Sequence, residues 1–238
     1  MELGAGTGMQ GNIAYRLGKV AALIPISGEW LDCGCADGAY SRALRERGAD
    51  RVVGIDVDEP RVRLARELTD DAALEFRHAE SEELPFDDAT FDGVWLNEVL
   101  EHVDDEAATL GQIRRVLKPG GHLALMSPNR WFPFEGHGIR VAGRDVNVPF
   151  PFVPWLPGAL TRHVMRARNY WPSELRDLVA AAGMEIVAVQ PVLPVFEIYP
   201  WLPGTVSRWY KKHMHRIEDA PVVGRFGVST LVLARRPG

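Results

Sequence analysis

The chain has 238 residues, 46% of them hydrophobic and 25% charged, with a formal charge of −5. That length suits one large domain, the apolar fraction excludes a disordered chain, and the acidic balance equips it poorly for gripping nucleic acid. Its two cysteines, Cys33 and Cys35, give no disulfide framework and no metal-spaced pairs, so a reduced, cytoplasmic setting is expected.

The first residues hold a decoy. Residues 2–8 are glycine-rich, yet no strand precedes them, so they fail the structural test of a cofactor loop. Residues 1–11 are expected to be a mobile or capping end, with a helix over 12–24. Residues 30–40, Trp-Leu-Asp-Cys-Gly-Cys-Ala-Asp-Gly-Ala-Tyr, predict a buried strand, a tight turn through Gly34 and Gly38, and a helix over 39–47. Glycine lets backbone approach a ligand closely. The apolar run 51–56 predicts a second strand inside a parallel sheet. It ends in Asp56, 18 residues beyond Gly38. A glycine turn after one strand and an acid at the end of the next is the arrangement that holds an adenosine, the acid accepting from the ribose hydroxyls. The competing reading of Asp56 is a helix cap.

Pro60 opens a helix to about residue 69. Strands follow over 73–78 and 91–96, the latter running into Asn97-Glu-Val-Leu-Glu-His-Val103. A helix from Asp104 places Ala107, Leu110, Ile113 and Leu117 on one face, and Pro119 with the next two glycines stops it. A strand over 122–127 comes next. Strands alternating with helices at this spacing imply a parallel sheet covered on both faces. Residues 130–171 break the rhythm with eight aromatics and five prolines, and predict a cap over the strand ends. A helix from Pro172, a strand over 184–190, a basic helix over 207–218 and a strand over 226–234 complete the chain. No apolar run is long enough to span a bilayer, and no signal peptide is seen.

In family order and spacing, 31–38, 53–56, Ala79-Glu80 with 84–86, 91–94, 98–103 and 117–121 resemble the class I S-adenosylmethionine-dependent methyltransferases. The branch is that of the ubiquinone-biosynthesis O-methyltransferases and the natural-product and sugar methyltransferases. The resemblance implies an α/β, Rossmann-like fold with a seven-stranded, mostly parallel sheet of order 3-2-1-4-5-7-6. Residues 1–238 would then be a single domain: a cofactor-binding core over 12–128, the cap insertion over 130–171, and the C-terminal part of the sheet over 172–238. S-adenosylmethionine is the implied cofactor. Gly34, Cys35 and Gly38 would pass beside its methionine part, with Asp32 near the ammonium and Asn97 at the same end. Asp56 would hold the ribose, with Val57, Ala79 and Glu80 around the adenine. Ala36 departs from the family's usual glycine and is expected to take an ordinary backbone conformation.

Two constellations could assist transfer to a hydroxyl. Glu98, Glu101 and His102 follow the fourth strand, and their ligand types suit Mg²⁺ or another divalent cation. The resemblance to the ubiquinone branch implies the same site, while a metal-free lining role for His102 stays open. Glu135-Gly-His137 offers His137 as a second base or ligand, or a plain loop histidine. The segment 127–137 is similar to one in methyltransferases of glycan pathways, implying a saccharide hydroxyl as the acceptor. A quinone or phenol, and a carbon or nitrogen acceptor, stay open as alternatives. A lipid-linked acceptor, a membrane surface or a second subunit could meet the apolar runs 148–160 and 191–203. No nucleic-acid partner is expected, because the Asn/Asp-Pro-Pro-aromatic motif is missing after the fourth strand.

Overall fold

The computed structural model describes residues 5–135, 138–141, 144–146, 150–193, 204–218, 220 and 222–238. Five strands run parallel: β1 (Glu29–Cys33), β2 (Arg51–Asp56), β3 (Leu74–His78), β4 (Phe91–Asn97) and β5 (Leu117–Pro128). Four short strands follow: β6 (Phe134–Glu135), β7 (Ile139–Val141), β8 (Arg144–Val146) and β9 (Phe150–Pro151). Then come β10 (Glu185–Val192) and β11 (Ser229–Arg235), antiparallel to each other. The main sheet has the order β10-β11-β5-β4-β1-β2-β3, with β11 antiparallel to β5. Counted by its own seven strands this is 3-2-1-4-5-7-6, the expected topology.

Alternation along each strand sends side chains to two cores. Leu31 and Cys33 of β1, with Val94 and Leu96 of β4, face one layer. It is covered by α4 (Glu106–Val116) and α6 (Pro172–Ala181) through Leu110, Ile113, Leu175 and Val179. Trp30 and Trp95 point the other way, against Leu17 and Val20 of α1 (Ala5–Ala21) and Leu44 of α2 (Ala39–Glu46). The short α3 (Glu59–Glu67) closes over Phe76 with Val62 and Ala65. Among the described residues the other α-helices are α5 (Gly158–Val164) and α7 (Gly204–Glu218).

The last α-helix begins at Gly204 and the last strand at Ser229, against the expected 207 and 226, and two other differences have plain physical reasons. The first helix begins at Ala5, so described residues within 1–11 belong to it; burial of Leu17 and Val20 anchors the helix that carries them. The fifth strand starts at Leu117, because the glycines at 120 and 121 turn alongside Arg236, whose N–H donates to Gly121.

The insertion is built around two small ribbons, β6 with β9 and β7 with β8, followed by α5. Its aromatics pack mainly on one another. Trp131 meets Trp171 edge-on at 4.9 Å and Phe226 at 6.0 Å, and Trp155 lies 5.3 Å from Phe152. Arg130 fixes this cluster, donating to the carbonyls of Pro154 and Leu156, both at 2.7 Å, while its guanidinium lies over Trp171.

Candidate functional site

The carboxyl ends of β1, β2 and β4 open into a cleft of about 1220 Å³. Crevices at this end of a parallel sheet are where such folds take ligands. Gly34 begins the loop after β1 at φ 83, and its N–H donates to Ile55 at 2.8 Å. A Cβ on Gly34 would stand 2.2 Å from Val99. The glycine therefore supplies both the positive φ and the room to bring the loop against the end of β4.

Ala36 corrects the expectation made for it. Its φ is 49, in the left-handed region, so the turn places a Cβ where glycine is favoured. The reason is its N–H, which donates to Asp56 Oδ2 at 2.8 Å. Asp58 N–H donates to the other oxygen at 2.9 Å. Two backbone donors thus aim the Asp56 carboxylate at the cleft, and each oxygen keeps a lone pair for a ligand hydroxyl. The cap reading of Asp56 fails, since Asp58 is the residue that caps α3.

Six of the nine expected cofactor residues line the cleft: Gly34, Cys35, Asp56, Val57, Ala79 and Asn97. Val57 is 64% exposed and Leu64 is 43% exposed, together making an apolar wall beside Asp56. Three do not line it. Asp32 is buried behind the loop and accepts from Ser41 Oγ at 2.6 Å. Burial pushes its carboxyl up to about 7, against the lowering effect of Ser41. Gly38 caps α2 at φ 78 and faces Phe76. Glu80 is exposed outside the cleft, and Ser81 lines the wall in its place. Cys33 and Cys35 are both buried free thiols, and burial raises both, so neither serves as a thiolate.

The expected metal trio does not assemble. Among the described residues no three acidic, histidine or cysteine side chains gather as metal ligands. Glu98 sits at φ 56, and its Oε1 takes Arg16 Nη1 at 2.7 Å and Ser229 Oγ at 2.5 Å. Glu101 turns inward, 2% exposed, and accepts from Ser127 Oγ at 3.1 Å. His102 turns outward to the rim. A divalent cation therefore does not fit the donors as arranged. Burial and the neighbouring Glu98 push Glu101 up. Burial also opposes the charge on Glu98, but Arg16 brings the net shift down.

Arg16 was missed by sequence reasoning, as were Asn12, Ile13 and Tyr40, all of which line the cleft. An arginine on an amphipathic helix reads as solvated, and its partners Asn97 and Glu98 lie more than 80 residues away. His137 lies outside the described residues.

A second cavity of about 980 Å³ adjoins the first, between the loop after β4, α6 and the insertion. His102 and Arg166 line both. Its walls include Val103, Met165, Tyr170 and Leu178. Trp131 lines neither, because its ring is committed to Trp171 and Phe226.

Residues 31–125 match the methyltransferase domain family. The chain is similar to a demethylmenaquinone methyltransferase of Clavibacter sepedonicus, 37% identical over 113 residues, which are 47% of this chain and 46% of the relative. It is also similar to a ubiquinone biosynthesis O-methyltransferase of Idiomarina loihiensis, 33% identical over 166 residues, 68% of this chain and 64% of the relative. The chain thus spans about half to two thirds of the length of these relatives. The crystal structure of an S-adenosylmethionine-dependent methyltransferase from Mesorhizobium loti superposes with a TM-score of 0.65 at 19% identity, covering 96% of this chain and 100% of that one. At that identity the likeness speaks for the fold.

Proposed function

This chain belongs, through its methyltransferase domain, to the class I S-adenosylmethionine-dependent methyltransferases, and from that premise we propose that it transfers a methyl group from S-adenosylmethionine to a hydroxyl of a small molecule. The observation that carries this reading is the cleft itself, where Asp56 is aimed by two backbone donors beside the glycine loop and an apolar wall. Asp56 takes the ribose hydroxyls, Val57 and Ala79 flank the adenine, and the loop at Gly34 and Cys35 with Asn97 receives the methionine end.

The sulfonium makes its methyl group electrophilic, so the protein supplies alignment for an in-line displacement. An alcohol attacks poorly until its proton leaves, and a positioned base assists that departure. His102 suits this task, standing on the rim shared by the cofactor cleft and the adjoining cavity. Glu98 suits it less, because Arg16 and Ser229 both bond its Oε1 and the Arg16 charge lowers its basicity.

The adjoining cavity is the acceptor chamber in this reading. Its size falls in the range of small-molecule sites. The walls mix apolar Val103, Met165 and Leu178 with charged Arg166, Arg168 and Glu174, and the choice of a phenol or quinol rests on both relatives being named for quinone chemistry. A saccharide is favoured less, since Trp131 and Trp155, the rings that would stack on a sugar, do not line this cavity.

The test is transfer from methyl-labelled S-adenosylmethionine to a panel of phenols, quinols and saccharides. Methylated phenol or quinol is expected, with kcat in His102→Ala down by at least about 10²-fold and cofactor affinity kept. Undiminished kcat in His102→Ala would remove the base assignment, and transfer to saccharides alone would overturn the acceptor reading.

A further inference from the structure

The acids after β4 surround a cation, and that cation is a side chain. Arg16 Nη1 donates to Asn97 Oδ1 at 2.6 Å and to Glu98 Oε1 at 2.7 Å, and Nη2 donates to Ser229 Oγ at 3.0 Å. Its Nε donates to Asn12 Oδ1 at 3.2 Å. Arg16 is only 6% exposed. Oxygens from an amide, a carboxylate and a hydroxyl therefore converge on one buried positive charge. Such an all-oxygen set is of the kind that hard divalent cations take. Glu101 stands behind it, with one buried oxygen that accepts no hydrogen bond among the described residues.

We propose that Arg16 is the internal cation of this oxygen cage, excluding a divalent metal from the end of β4, and that removing its charge uncovers a divalent-cation site made by Glu98, Glu101, Asn97 and Ser229. A buried acid pair needs compensation, and a buried charge is tolerated only when paired and hydrogen-bonded. The fork of a guanidinium supplies both here without a dissociable ion. Glu98 is held at its left-handed φ with its N–H bonded to Met126 at 2.8 Å, and Ser229 still donates to its Oε1 when Arg16 is replaced. Arg16 comes from α1, which also brings Asn12 and Ile13 to the cleft wall. It is a positioning residue that ties this helix to the end of β4.

The proposal is tested by Mn²⁺ titration, followed by electron paramagnetic resonance, and so stands apart from methyl transfer. The proteins are the wild type, Glu98→Gln, Arg16→Ala, Arg16→Gln, Arg16→Lys and the double variant Arg16→Ala/Glu98→Gln, each checked by circular dichroism. The wild type and Arg16→Lys are expected to take up no saturable Mn²⁺ below about 1 mM. Arg16→Ala or Arg16→Gln is expected to bind one Mn²⁺ per chain, at about 10⁻⁴ M, and the double variant to lose it. Saturable binding by the wild type that Glu98→Gln abolishes would overturn the proposal, whether or not the Arg16 variants fold. A folded Arg16→Ala or Arg16→Gln that takes up no Mn²⁺ would overturn it equally.

Discussion

Asp32 sits beneath the glycine loop as a buried acid whose partner is a serine hydroxyl rather than a cation. Its folded value of about 7 lies above the ordinary 3.8. Between those two values the folded chain keeps a proton that the unfolded chain has lost. Its contribution to stability is therefore full below about 4 and is lost as pH rises through about 7. Asp32→Asn keeps a partner for Ser41 and cannot titrate. Its melting temperature relative to wild type should rise by roughly 5 °C between pH 5 and pH 8. Parallel melting curves across that range would show that Asp32 titrates elsewhere. At this scale the sequence is least readable. An acid at the end of a strand does not announce whether it faces the cleft, as Asp56 does, or the interior, as Asp32 does. Nor does an alanine in place of glycine reveal that Asp56 will hold it at a positive φ.

Elements were far more legible than residues, because period and punctuation are local signals. The strands 51–56 and 91–96 were readable as apolar runs, and they form β2 and β4. The reason lies in burial on both faces, visible between β1 and β4. Gly93 pairs with Trp30 in register, and a Cβ on Gly93 would fall 2.4 Å from the Trp30 ring. Gly93→Ala should therefore destabilise the fold by about 1–3 kcal/mol through overpacking. Gly111 is the contrast, lying inside α4 with nothing within 4 Å of its missing Cβ. Gly111→Ala should stabilise by up to about 1 kcal/mol. Urea unfolding of the two variants checks both signs. A neutral Gly93→Ala would mean that β1 and β4 separate more easily than their packing implies. What the element pattern could not give was α1 as a wall of the site, since its polar contacts are made to residues distant in sequence.

For the whole molecule, the order of the sheet brings three strand ends together, and the insertion then bounds a second cavity beside them. Alternation of helix and strand predicts a parallel sheet covered on both faces, whereas the strand order is implied only by the resemblance to the methyltransferases. The role of the insertion could not be read, because aromatic composition is the same whether rings meet a ligand or one another. Its contribution to the cofactor cleft, among the described residues, is Arg166, and most of its aromatics serve its own packing.

The central claim is that the cleft between β1, β2 and β4 holds S-adenosylmethionine through Asp56. Titration calorimetry with S-adenosylhomocysteine, on wild type, Asp56→Ala and Trp131→Ala, tests it most directly. The account predicts one site per chain, at least about tenfold weaker in Asp56→Ala, as loss of hydrogen bonds to a charged group implies, and unchanged in Trp131→Ala. No saturable binding by the wild type, or full affinity in a folded Asp56→Ala, would contradict it.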